Sequence, residues 1–161
     1  MPIAKTDAPI AERELVLTRV IRASPERLFC AWTDPALLVK WFTPAPWKTV
    51  RAEVDLRPGG SVCVVMQSPE GQEFPNPGVY LDVVENKRLV FTDAFVRAWE
   101  PSNKPFMVGT LTFDDLNNGT TRYTARVQHW SIADRKAHEE MGFHQGWGRA
   151  TDQLEALVTM R

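Results

Sequence analysis

Cysteine, histidine and surplus basic charge are all scarce in this chain of 161 residues, and each scarcity excludes something. Two cysteines, Cys30 and Cys63, are too few for a disulfide framework. Cys30 falls in an apolar helical run and Cys63 inside a strand, so both read as small buried hydrophobes. Neither has His or Cys partners at metal-ligand spacing. Among the three histidines, His138 and His144 fall on different sides of any helix that carries both, which speaks against a shared metal. The net charge is -1 and the basic residues are scattered. Phosphate binding needs a local positive excess, so neither a nucleic acid nor an anionic membrane is an expected partner. No apolar stretch reaches the roughly 20 residues of a membrane helix. Met1 to Arg13 hold charges and prolines but no apolar core of a secretory signal, so a soluble cytoplasmic protein is expected. Gly-rich phosphate loops and nucleophile elbows are missing too, and no cofactor is expected.

What is present reads as one globular domain over 1–161, with 1–12 as a flexible N-terminal segment. Hydrophobic content of 43% against 24% charged is enough to bury a core. Glu14 to Ile21 is rich in β-branched residues and reads as a strand. Ser24 is a good N-cap, Pro25 suits the first helical position and Glu26 complements the dipole there. Thr33-Asp34-Pro35 ends that helix and caps a second, giving a short aromatic helix pair over Pro25 to Trp41.

Strict alternation follows, with Val50, Ala52, Val54 and Leu56 on one face, as in a half-buried strand. Ser61 to Gln67, Gly78 to Val84, Leu89 to Phe95, Phe106 to Phe113 and Thr120 to His129 continue as strands between turns. Asn117-Asn118-Gly119 predicts a type I′ hairpin turn. From Asp134 to Met160 no proline intervenes, and Phe143, Trp147, Ala150, Leu154 and Leu157 form the apolar stripe of one long helix. Consecutive strands with segregated helices mean α+β with a mostly antiparallel sheet.

Three motifs occur in order along nearly the whole chain. They are Ala23-Ser24-Pro25-Glu26-Arg27-Leu28-Phe29 through Trp41-Phe42-Thr43-Pro44, then Asp55-Leu56-Arg57-Pro58-Gly59-Gly60, then Gly142-Phe143-His144-Gln145-Gly146-Trp147 with Leu154. With them the chain resembles the START-like, helix-grip superfamily (SRPBCC). Within it, the chain resembles the branch of activator of heat-shock-protein-90 ATPase homologue-like proteins. The resemblance implies a curved antiparallel sheet of about six or seven strands around a long C-terminal helix, with two short helices after the first strand. It also implies a cavity between sheet and helix. Because the eukaryotic namesakes are linked to the chaperone, a chaperone partner stays open.

Alternation in the last strand puts His129 on the apolar face with Tyr123, either as a hydrogen-bonded edge of the core or as a ligand contact. Asp93 shares a face with Phe91, pointing inward among aromatics or outward to solvent. Gly142, Gly146 and Gly148 each cost on the order of 1 kcal/mol in a helix, so packing around Trp147, a kink or room for a ligand must account for them. Trp32, Trp41, Phe91, Asp93, Tyr123, His129, Met141, His144 and Gly148 are therefore the candidate cavity residues. The leading expectation is a small protein that binds a hydrophobic small molecule in an internal cavity. A cyclase- or hydrolase-like enzyme, using His129 with Asp93 or His144 as acid and base, is the alternative. A chaperone-associated interaction module is a third reading, and a homodimer stays open.

Overall fold

The computed structural model describes residues 8–159. Strand β1, Glu14–Ile21, leads into helix α1, Pro25–Thr33. The Ser24 hydroxyl accepts the Arg27 N–H, and Pro25 occupies the first turn. Asp34 closes α1 and, through its carboxylate, accepts the Ala36 N–H that opens α2, Pro35–Trp41. One residue thus ends one helix and starts the next, and the bent pair follows from it.

Strands β2, Lys48–Val54, and β3, Ser61–Gln67, come next, then β4, Glu73–Val84, and β5, Arg88–Thr92. After a detour through β6, Phe95–Arg97, and β7, Glu100–Pro101, the chain returns as β8, Met107–Asp115, and β9, Thr121–His129. The main sheet has seven antiparallel strands in the order β1-β9-β8-β5-β4-β3-β2, while β6 and β7 pair only with each other. Helices α3, Ile132–Glu140, and α4, Phe143–Thr159, complete the chain. No described helix is long and apolar enough to cross a membrane. Leu28, Leu38 and Trp41 from the helix pair, Leu111 and Tyr123 from the sheet, and Leu154 from α4 belong to one apolar cluster. A smaller cluster of Leu15, Val127 and Phe143 lies apart from it.

The structure departs from the sequence reading at several points. The single long helix is two, because Gly142 adopts φ 98° and stops the α3 ladder in a conformation that L side chains avoid. The strand expected to run to Phe95 ends at Thr92, since the Asp93 carboxylate turns to accept the N–H groups of Phe106 and Met107. Strand β4 begins earlier than expected, at Glu73, in register with Gln67. Asn117 and Gly119 take positive φ with Asn118 between them outside that region, so the loop is not the consecutive pair a type I′ turn requires. Cys30 is exposed: Leu28, Phe29 and Trp32 define the buried side of α1, and Cys30 falls opposite. Residues 1–7 of the segment expected to be flexible lie outside the described residues. Its end is ordered, with Ile10–Arg13 forming a 3₁₀ turn and Arg135 donating to the Glu12 carbonyl.

Helix α4 is a structural wall, so its loss should be global. Leu154 is 0% exposed, and Leu154→Ala is expected to cost about 2–5 kcal/mol, read from the urea midpoint. A chain ended at Gly142 should show no cooperative thermal transition; a sharp one would refute the assignment.

Candidate functional site

Between the sheet, the α1–α2 pair and the first half of α4 lies a cavity of about 460 Å³. Its position follows from unequal attachment of α4. Leu154 and Val158 join the larger apolar cluster, and the Gln153 amide donates to the carbonyls of Trp41 and Thr43. Ahead of that anchorage Gly146, Trp147 and Ala150 face the cavity, and Trp147 packs against both apolar clusters. A Cβ placed on Gly146 would meet nothing within 4 Å.

One wall is aromatic and rigid. Trp32 packs edge-on against Trp41 and Phe42, at centroid distances of 4.9 and 5.7 Å, and lies 5.9 Å from Phe91. Both indole N–H groups are satisfied, Trp32 on the Tyr123 hydroxyl at 3.0 Å and Trp41 on the Ala31 carbonyl at 2.9 Å. Phe91 lies across Gly109 on the neighbouring strand, where a Cβ would come within 2.6 Å of its ring. A side chain at 109 would drive that ring aside.

Few polar groups reach this space. Tyr80 is buried, and its hydroxyl has no protein partner among the described residues. Tyr123 accepts from Trp32 and keeps its own hydrogen free. Burial pushes both phenols far above their ordinary pKa, so they stay neutral donors. No lysine or arginine lines the cavity, and the one formally charged residue there is Asp93.

His138 also lines the cavity, with His129 directly behind it. His129 Nδ1 lies 2.9 Å from the Arg13 carbonyl, and its Nε2 lies 2.9 Å from His138 Nδ1. A carbonyl only accepts, so His129 carries its hydrogen on Nδ1. With both rings uncharged, His129 Nε2 accepts from His138 Nδ1–H, and His138 Nε2 is left as a bare acceptor. Burial, and then the neighbouring His129, lower the His138 pKa to about 4. Phe106 packs on both rings, at 5.4 Å from His129 and 5.1 Å from His138.

Of the residues singled out from the sequence, Trp32, Trp41, Phe91, Asp93 and Tyr123 line the cavity. Met141 also lines it, at the rim, with 76% of its surface exposed. His129, Gly148 and His144 do not line it. His129 is 2% exposed and sits behind His138. Gly148 and His144 lie one position beyond Trp147 and Phe143, turned about 100° away from the apolar stripe. His144 instead lies 3.3 Å from Glu139, in a shallow groove between α3 and β1. The sequence reading missed Tyr80 and His138. Alternation in β4 from Gly78 would have found the tyrosine, whereas only the fold-back of α3 onto β9 brings His138 to His129. Among the described residues no group of three His, Cys, Asp or Glu is placed to hold a metal ion.

A family model described as activator of Hsp90 ATPase homolog 1-like protein matches residues 22–159. Protein NE0264 of Nitrosomonas europaea is 44% identical, with a TM-score of 0.87 over 92% of this chain and 95% of that one. Protein Ms6760 of Mycobacterium smegmatis is 26% identical, with a TM-score of 0.79 over 99% of both chains. Protein CV1439 of Chromobacterium violaceum is also 26% identical, with a TM-score of 0.75 over 92% of this chain and 99% of that one. No curated protein matches the chain.

The lowered His138 pKa carries a signed consequence. The unfolded chain takes up a proton near 6.5, whereas the folded chain resists until about 4. This histidine's contribution to stability is therefore full above pH 6.5 and lost as pH falls toward 4. The gap between the urea midpoints of wild type and His138→Asn should change between pH 7.5 and pH 5, in the direction of a wild type that weakens more. A pH-independent gap would contradict the assignment.

Proposed function

The chain belongs to the family of activator of Hsp90 ATPase homolog 1-like proteins, and on that premise we propose that it is a soluble, cytoplasmic, single-domain protein that binds a predominantly apolar small molecule between its sheet and α4. Members of this helix-grip fold commonly bind ligands. The observation that carries the reading here is the cavity of about 460 Å³, within the range of small-molecule sites, walled by aromatic and aliphatic side chains. Binding there draws on apolar burial at about 25 cal/mol per Å² against the small ordering cost of a pocket whose indoles are already fixed. The enzyme reading has less support, because His144 lies in a different groove and Asp93 spends one carboxylate oxygen on two backbone N–H groups.

Gly146 provides the test. Gly146→Leu would project into the cavity and, by removing a helical glycine, should leave the unliganded protein at least as stable, with a gain on the order of 0.5–1 kcal/mol. Wild type should bind the neutral fluorophore N-phenyl-1-naphthylamine saturably at one site, and Gly146→Leu should lose that binding. Equal binding by both would place the site elsewhere. Native mass spectrometry of freshly purified protein would reveal a retained small molecule, a second copy of the chain or a chaperone partner by mass.

A further inference from the structure

We propose that this cavity selects a neutral ligand whose polar group donates a hydrogen bond to His138, and that it turns away carboxylates and other anions. The inference rests on the reading that the cavity is the binding site, and it goes further by assigning the ligand's chemistry.

The polarity of His138 is set by a chain of fixed partners. Arg13 is clamped first: its guanidinium donates to the His129 carbonyl at 2.8 Å and to the Ala8 carbonyl at 3.1 Å. The Arg13 carbonyl then accepts from His129 Nδ1, and His129 Nε2 accepts from His138 Nδ1. Each ring holds the next in one tautomer, as an orienting partner does for a histidine that must present a given nitrogen. Flipping His138 would put carbon against His129 Nε2 and leave a buried acceptor unmet, which costs more than the hydrogen bond gained elsewhere. What reaches the ligand is a lone pair, so the matching group is a hydroxyl, phenol or N–H.

A second acceptor sits at the same end. The Phe106 backbone N–H donates to Asp93 Oδ1, while the Phe106 ring packs on both histidines, so Asp93 and His138 flank one residue. Asp93 Oδ1 takes the Met107 N–H as well, and Oδ2 has no partner among the described residues. An anion placed here meets a carboxylate and a lone pair, with no lysine or arginine in the lining to offset them. Moving an unpaired carboxylate from water into such a site is strongly unfavourable. The hydroxyls of Tyr80 and Tyr123, donors at the aromatic end, suit a neutral carbonyl or ether oxygen on the same ligand.

Three probes with one bicyclic body separate the terms: 2-naphthol donates, 2-methylnaphthalene is apolar, and 2-naphthoate is anionic at pH 7.5. Calorimetric titration of wild type should rank naphthol about tenfold tighter than methylnaphthalene, with naphthoate weakest. In His138→Asn the shorter amide still reaches His129 Nε2 but offers nothing at the Nε2 position, so the preference for naphthol should shrink to about twofold or less. A cooperative thermal transition verifies the variant's fold, and the wild-type ranking tests the claim without it. Naphthoate binding as tightly as naphthol, or a preference that survives His138→Asn, would overturn the proposal while leaving the cavity reading standing. If none of the three binds wild type, both readings fall together.

Discussion

The contact that everything else depends on is the seating of the second half of α4. Leu154 and Val158 sit in one apolar cluster with Leu28, Leu38 and Trp41, so helix, helix pair and sheet share a single dry interior. Polar clamps fix the depth and rotation of that seat: Gln153 on the carbonyls of Trp41 and Thr43 at the end of α2, and the Arg27 guanidinium on the Val158 carbonyl. A helix is a stiff rod rising about 1.5 Å per residue, so anchoring one half sets the course of the other. The half carrying Gly146, Trp147 and Ala150 is thereby held over the sheet, and the cavity is the space it spans.

Much of this was legible in the sequence because the relevant signals are local. The cap at Ser24, the double use of Asp34 and the period-two strands are set by residues within a few positions of each other. The stripe of α4 from Phe143 to Leu154 was legible for the same reason, and its geometry could have corrected two site residues. His144 and Gly148 each follow a stripe member by one position, which on a helix means another face. The break between α3 and α4 was harder to read. Three glycines close together signalled something unusual, but only the backbone shows Gly142 as the one with positive φ.

The candidate site divides the same way. Its aromatic wall came from side chains that sequence patterning marks as interior, and the family resemblance agrees with the sheet order and with relatives sharing the fold. Its polar end did not, because it is assembled from distant pieces. Arg13 precedes the first strand, Asp93 follows β5, Phe106 precedes β8 and His138 lies on α3. Nothing in their spacing says that Phe106 would lie under both histidines while its amide holds the aspartate. Such convergence is a property of the topology, in which β9 sits between the strand that starts the sheet and the strand that follows the detour.

Helix α3 differs from the rest of the molecule in one respect that bears on kinetics. It contains no fully buried residue, and its outward attachments are Arg135 on the Glu12 carbonyl, Glu139 against His144, and His138 through its hydrogen bond to His129 and its ring contacts. Segments with few apolar contacts open at free energies well below that of global unfolding. The histidine pair therefore joins two unequal supports: His129 is buried in the sheet, and His138 rides on a surface helix. The polar end of the cavity thus rests on the least buried long helix among the described residues, while its aromatic wall belongs to the core.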